Sequence, residues 1–133
     1  LRSEYPSYGL DAAGGMVSTA RDLANFESEL DDDDNVPISM STLDKMWTPF
    51  ALETGGSAPT GQGGFVQNSS GVRLVWTFGH LPDAASALIV KMPSKRLTLV
   101  LLSNSGGLAN TYQLEKGDIA TSPFVKIFLR LFI

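Results

Sequence analysis

A chain of 133 residues that is 43% hydrophobic and 18% charged holds enough apolar material for one modest core and too much for a disordered polymer. Ten Lys and Arg stand against fourteen Asp and Glu, a net charge of −4, so a nucleic-acid backbone gains little by approaching this surface. With no Cys and a single His, disulfides, thiolate nucleophiles and Cys- or His-cluster metal centres are excluded, and no cofactor is expected.

Leu1 to Leu10, with Tyr5, Pro6, Tyr8 and Gly9, reads as an irregular lead-in, and Asp11-Ala12-Ala13-Gly14-Gly15 as a small-residue run. A start at Leu1-Arg2 without Met or an apolar leader reads as a processed or truncated polypeptide, and no run is long enough to span a bilayer. Thr19 and Asp22 have the spacing of a helix capping box, and Leu23, Phe26 and Leu30 follow at helical spacing as the expected buried stripe. Asp31 to Asp34 repel one another and are expected in a solvated loop. They lack the spaced ligands and turn glycine of a calcium loop. Ser41 and Asp44 repeat the capping spacing ahead of Leu43, Met46 and Trp47, and Pro49 closes that helix. Residues 51–64, rich in Gly, Ser, Thr and Pro, read as a loop wrapping a sheet edge.

The second half is β-prone. Phe65–Gln67 and Val72–Thr77 flank the turn Asn68-Ser69-Ser70-Gly71, and Ala85–Met92 and Leu97–Leu102 flank Pro93-Ser94-Lys95-Arg96, which predicts two hairpins. The almost wholly apolar Leu97–Leu102 is expected as a central strand covered on both faces. Ser122-Pro123 then opens a closing helix to Ile133, with Lys126 and Arg130 on one side. The predicted fold is α+β, an antiparallel sheet with flanking helices on one face, in a single segment over residues 1–133. Its other face or edge is left in want of a partner, so a homo-oligomer is possible if the segment stands alone.

Taken alone, the residues hold no complete active site. His80 could act as a base with Asp83 near in sequence, or serve as a structural hydrogen-bonder. There is no Gly-x-Ser-x-Gly elbow and no Ser-x-x-Lys pair, and Gly61-Gln62-Gly63-Gly64 lacks the lysine and following helix of a phosphate loop.

The order of motifs nevertheless resembles a family. Ala13-Gly14-Gly15-Met16-Val17-Ser18-Thr19-Ala20-Arg21-Asp22-Leu23 is similar to a segment of the serine β-lactamase-related hydrolases, which include class C β-lactamases, penicillin-binding carboxypeptidases and related esterases. Thr60 to Gln67 resembles their Tyr-Gly-Leu-Gly-Trp-Phe strand, with Thr60 and Gly64 replacing the aromatics. Arg73 to Gly79 falls at their third catalytic element, Leu97–Asn104 at a sheet-closing strand, and Gly117–Ile133 at a terminal helix.

The resemblance implies that this chain is the C-terminal portion of such a domain. The Ser-x-x-Lys and Tyr-x-Asn elements would come from the upstream half, and the compartment leans to periplasmic or secreted. Carried over by position, Trp76, Thr77, Phe78 and Gly79 line the substrate cleft, and the backbone amide of His80 completes an oxyanion hole. Thr77 stands where the family has Lys or His, and Phe78 has no hydroxyl. The implied substrate is therefore a small uncharged ester or amide. A non-catalytic relative that binds a partner chain or peptide is the alternative.

Overall fold

The computed structural model describes residues 14–32, 38–82, 84–109 and 112–133. Helices α1 (Ala20–Glu29) and α2 (Met40–Met46) precede strands β1 (Phe65–Ser69), β2 (Val72–Leu81), β3 (Ala85–Met92) and β4 (Leu97–Ser103). Helix α3 (Pro123–Phe132) follows after short 3-10 turns. The strands form one antiparallel meander in the order β1-β2-β3-β4. Asp11 to Ala13 and Leu1 to Leu10, Asp33 and Asp34, and Asp83 lie outside the described residues.

The first hairpin turns on Ser70 and Gly71 alone, both left-handed at φ 50° and 81°, the backbone that a tight two-residue hairpin requires. β2 runs on to Leu81, four residues past its expected end, because its partner β3 continues beside it as far as Leu81 opposite Ala85. Residues 51–64 do cover a sheet edge. Val66 N donates to Pro59 O at 2.8 Å, and Thr60 bridges Phe65 on the outer side of β1.

Side chains alternate across the strands and supply two cores. Leu74 and Trp76 of β2 meet Leu88, Val90 and Met92 of β3, together with Leu114, Ile119, and Val125 and Phe128 of α3. On the opposite face Val75 packs against Leu30, Leu43 and Trp47. Helices therefore lie on both faces, where one face was expected. Period-two alternation sends Val75 and Lys91 to the side away from α3, and both find partners there.

Three local expectations are corrected. α2 is capped by Ser39, whose Oγ accepts from Thr42 N at 3.3 Å, two residues before the expected Ser41. Asp44 is thereby left to bind Arg73 Nη2 at 2.6 Å. β4 is an edge strand of the described sheet and only half-buried, with Leu102 43% exposed. Its apolar run alone could not tell an edge from a centre.

The third correction concerns α1. Thr19 caps it as expected, accepting from Asp22 N at 3.1 Å and donating to Asp22 Oδ2 at 2.8 Å. The inner stripe is rotated, however. Phe26 is 50% exposed, and the residues turned inward are Leu23, Glu27, Leu30 and Asp31. The cause is Lys91, which is 3% exposed on β3. Its Nζ meets Glu27 Oε2 at 3.1 Å, Asp31 Oδ1 at 2.9 Å and Glu27 O at 3.1 Å, and lies 5.9 Å from the Trp47 ring. A buried ammonium cannot remain unpaired, so Asp31 leaves the solvated run and joins the core.

Removing one partner of a buried charge cluster strands the others. Lys91→Ala is therefore expected to lower the stability of the chain by about 3 kcal/mol in urea titrations followed by circular dichroism. Asp44→Ala, which breaks the exposed pair with Arg73, is expected to cost less than about 1 kcal/mol. Equal losses would refute the buried-charge account of how α1 docks.

Candidate functional site

The site begins with the phase of β2. A two-residue hairpin makes Ser69 and Val72 a hydrogen-bonded pair, and such pairs alternate along an antiparallel ladder. Val72, Leu74 and Trp76 accordingly direct both N–H and C=O toward β1, while Val75, Thr77, Gly79 and Leu81 direct theirs toward β3. Pairing with β1 ends at Phe65 opposite Trp76. Phe78 and His80 keep the same phase, so their backbone groups point out of the sheet at an edge that no described strand occupies.

Among the described residues, the segment before β1 turns away from this edge. Gly61 N donates to Gly64 O at 2.9 Å, and Gln62 N donates to Met46 O at 2.8 Å. A Cβ on Gly61 would collide with Met46 O, and one on Gly64 would lie 3.0 Å from Trp76 O. These glycines are required by close backbone approach. Gly79 differs, since a Cβ there would meet only the Ala87 Cβ at 3.8 Å, an ordinary contact. Nothing described inside the chain requires a glycine at position 79; what it leaves clear is the outer surface.

The five residues singled out from the sequence separate into two groups. Trp76 is 1% exposed, stacked on Phe65 with ring centroids 4.2 Å apart, and its Nε1 is buried without a partner among the described residues. It supports the site from beneath. Phe78 is half-buried and continues the aromatic ladder, 6.2 Å from Trp76 and 6.1 Å from Phe65. Thr77 and Gly79 are exposed and belong to the opposite face from Trp76. The His80 ring follows the Trp76 and Phe78 face. Its Nε2 is buried with no described partner, so the backbone of His80, not its imidazole, is what this edge presents.

Two polar residues that the sequence reading passed over carry structural duties. Gln67 Nε2 donates to Asp118 Oδ1 at 2.9 Å, and its Oε1 accepts from Ile119 N at 3.0 Å, clipping the approach to α3 onto β1. Ser86 is 4% exposed; its Oγ donates to Ser105 O at 2.5 Å and accepts from Leu108 N at 3.1 Å. His80 stands opposite Ser86 in the β2–β3 register, but the Ser86 hydroxyl is engaged by Ser105 O and Leu108 N and makes no hydrogen bond to the His80 Nε2, so the role Ser86 fills here is structural. Its inward position beside Leu88 and Val90 was the sequence signal for it. Among the described residues, no three acidic or His side chains gather as a metal site, and no helix is long and apolar enough to cross a membrane.

Among the described residues, an antiparallel sheet thus lies between helical layers, with the glycine-bearing end of β2 unpaired at one edge. A family model described as Beta-lactamase matches residues 2–120, and the chain belongs to that family. α3 lies beyond the matched residues. Searches of curated proteins and of solved structures return no match.

If Gly79 serves the outer surface and not the fold, Gly79→Ala should leave the unfolding free energy within about 0.5 kcal/mol of the parent in urea titrations. Gly61→Ala should destabilise by about 1 kcal/mol or more, because backbone must move to admit the methyl group. A matching large loss at both positions would show that Gly79 is held by packing.

Proposed function

We propose that this segment is the C-terminal part of a serine hydrolase acting on an uncharged ester or amide through an acyl-enzyme. The observation that carries the reading is the outward N–H of His80 on an unpaired strand end, beside the exposed Thr77 and Gly79. In the reaction a serine Oγ, activated by a lysine and a tyrosine, attacks the carbonyl carbon. The developing oxyanion accepts hydrogen bonds from the serine's own amide and from the His80 amide. Collapse expels the alcohol or amine with a proton, and water then cleaves the acyl ester to regenerate the serine.

Residues 1–133 contain neither Ser-x-x-Lys nor Tyr-x-Asn. The nucleophile must therefore come from a polypeptide part that carries those elements, packed so that the serine faces the free end of β2. Thr77 offers no positive charge to a substrate carboxylate and Phe78 offers only carbon, which supports neutral substrates over penicillin-like ones. The same two residues favour a second reading, a non-catalytic relative that receives an extended peptide along the outward groups of Phe78 and His80.

The test is made in a protein that joins this segment to the Ser-x-x-Lys element. Fluorophosphonate labelling of the serine supports the hydrolase, and a folded protein that takes no label supports the peptide-binding module. His80→Pro removes an N–H that no strand of the sheet uses, and it should lower ester turnover on the order of a hundredfold or more, whereas His80→Ala should retain most of the activity. An undiminished rate in His80→Pro would sink the oxyanion role.

A further inference from the structure

Helix α3 is apolar on both sides. Val125 and Phe128 are buried against the sheet, yet Phe124 is 43% exposed, Ile127 59% and Leu131 70%. At about 100° per residue, Phe124, Ile127 and Leu131 fall in one outward strip. Lys126 and Arg130, both exposed, fall in a second strip beside it. Neither cation forms an ion pair among the described residues, and α3 contains no acidic residue. The acid nearest to it in sequence, Asp118, is occupied, its Oδ1 accepting from Gln67 Nε2 and from Ala120 N, each at 2.9 Å. In a chain of net charge −4, this basic and apolar surface is a local feature.

The two strips together select an occupant. A second α3 would set Lys126 and Arg130 against their own counterparts, with no carboxylate on the helix to pair them. A polypeptide part that brings a serine to Thr77, Gly79 and the His80 amide approaches the face of the sheet opposite α3. α3 also lies beyond the residues that the family model matches. A surface of anionic lipid answers both strips at once. Apolar side chains enter the acyl boundary while the ammonium and guanidinium stay among the phosphates. At 10 residues α3 is too short to cross a bilayer, so it would lie flat on one. Because Val125 and Phe128 already hold the helix folded, docking pays no cost of helix formation.

We propose that α3 is a docking surface for an anionic membrane. The helix lies parallel to the bilayer plane, with Phe124, Ile127 and Leu131 in the acyl boundary and Lys126 and Arg130 on lipid phosphates. The bilayer then sits behind the sheet, and the Thr77 and Gly79 face stays turned to water.

The experiment is co-sedimentation of the 133-residue chain with vesicles of equal parts phosphatidylserine and phosphatidylcholine, and with vesicles of phosphatidylcholine alone. The chain should pellet with the first and stay largely in solution with the second, and the bound fraction should fall as salt is raised. Lys126→Glu combined with Arg130→Glu should weaken binding by about tenfold or more. Ile127→Ser combined with Leu131→Ser should also weaken it, with an unchanged circular dichroism spectrum, since both side chains already face outward. Met16→Ser combined with Val17→Ser removes apolar residues that are 85% and 81% exposed elsewhere, and should bind as the parent does. A chain that ignores the phosphatidylserine vesicles overturns the proposal, as does binding that survives both α3 double variants. So does binding that is lost once the segment is joined to the Ser-x-x-Lys element, since the upstream part would then be what covers α3.

Discussion

The alternation of backbone direction along β2 is the constraint on which the rest depends. Once Ser70 and Gly71 close a two-residue turn, the phase of every later pair in the meander follows, because each antiparallel strand hands its unused groups to the next. That phase decides that Phe78 and His80 look out of one edge and that Thr98, Val100 and Leu102 look out of the other. It also fixes the faces. Trp76 and Val90 must go to the side of α3, and Val75 and Lys91 to the side of α1 and α2. A one-residue slip would exchange the two cores and bring a lysine among Leu114, Ile119 and Val125.

Lys91 is the second organising feature, and a costly one. An ammonium taken from water into a sheet face is tolerated only because two carboxylates and a carbonyl surround it. The requirement passes from the strand to the helix. α1 shows its largest apolar residue, Phe26, to solvent and turns Glu27 inward, with Asp31 just beyond its end. The helix is thus positioned by charge as well as by hydrophobic matching, and the Trp47 ring, with Arg73 and Lys91 each 5.9 Å from its centroid, joins the two devices.

Much of the framework was legible in the residues. Thr19 with Asp22 named a cap, Asn68 to Gly71 named a hairpin that the structure tightens to Ser70 and Gly71, and the glycine-rich loop named an edge cover; each is a local rule obeyed locally. The misreadings share one cause. Leu97–Leu102 looked central because an apolar run carries no mark of how many neighbours it has. Ser41 looked like a cap because spacing cannot choose between Ser41 and Ser39 when Asp44 has a distant partner in Arg73. Asp31 looked solvated because nothing near it in sequence announces Lys91. In each case the deciding contact comes from a residue far away in the chain.

For the site the division is similar. The sequence by itself determined the element order, the turn that sets the ladder phase, the β-lactamase-related character of the chain, and the lack of charge at Thr77 and Phe78. These rest on chemistry carried by neighbouring residues. Only the tertiary structure decided that β1 stops one residue before Thr77, so that no described strand pairs with His80 on that side, that Trp76 belongs to the core, and that the His80 Nε2 is buried. Those outcomes depend on where one strand ends relative to another. The close approach of Gly61 to Met46 and of Gly64 to Trp76 sets that ending, and local sequence has no means of encoding it.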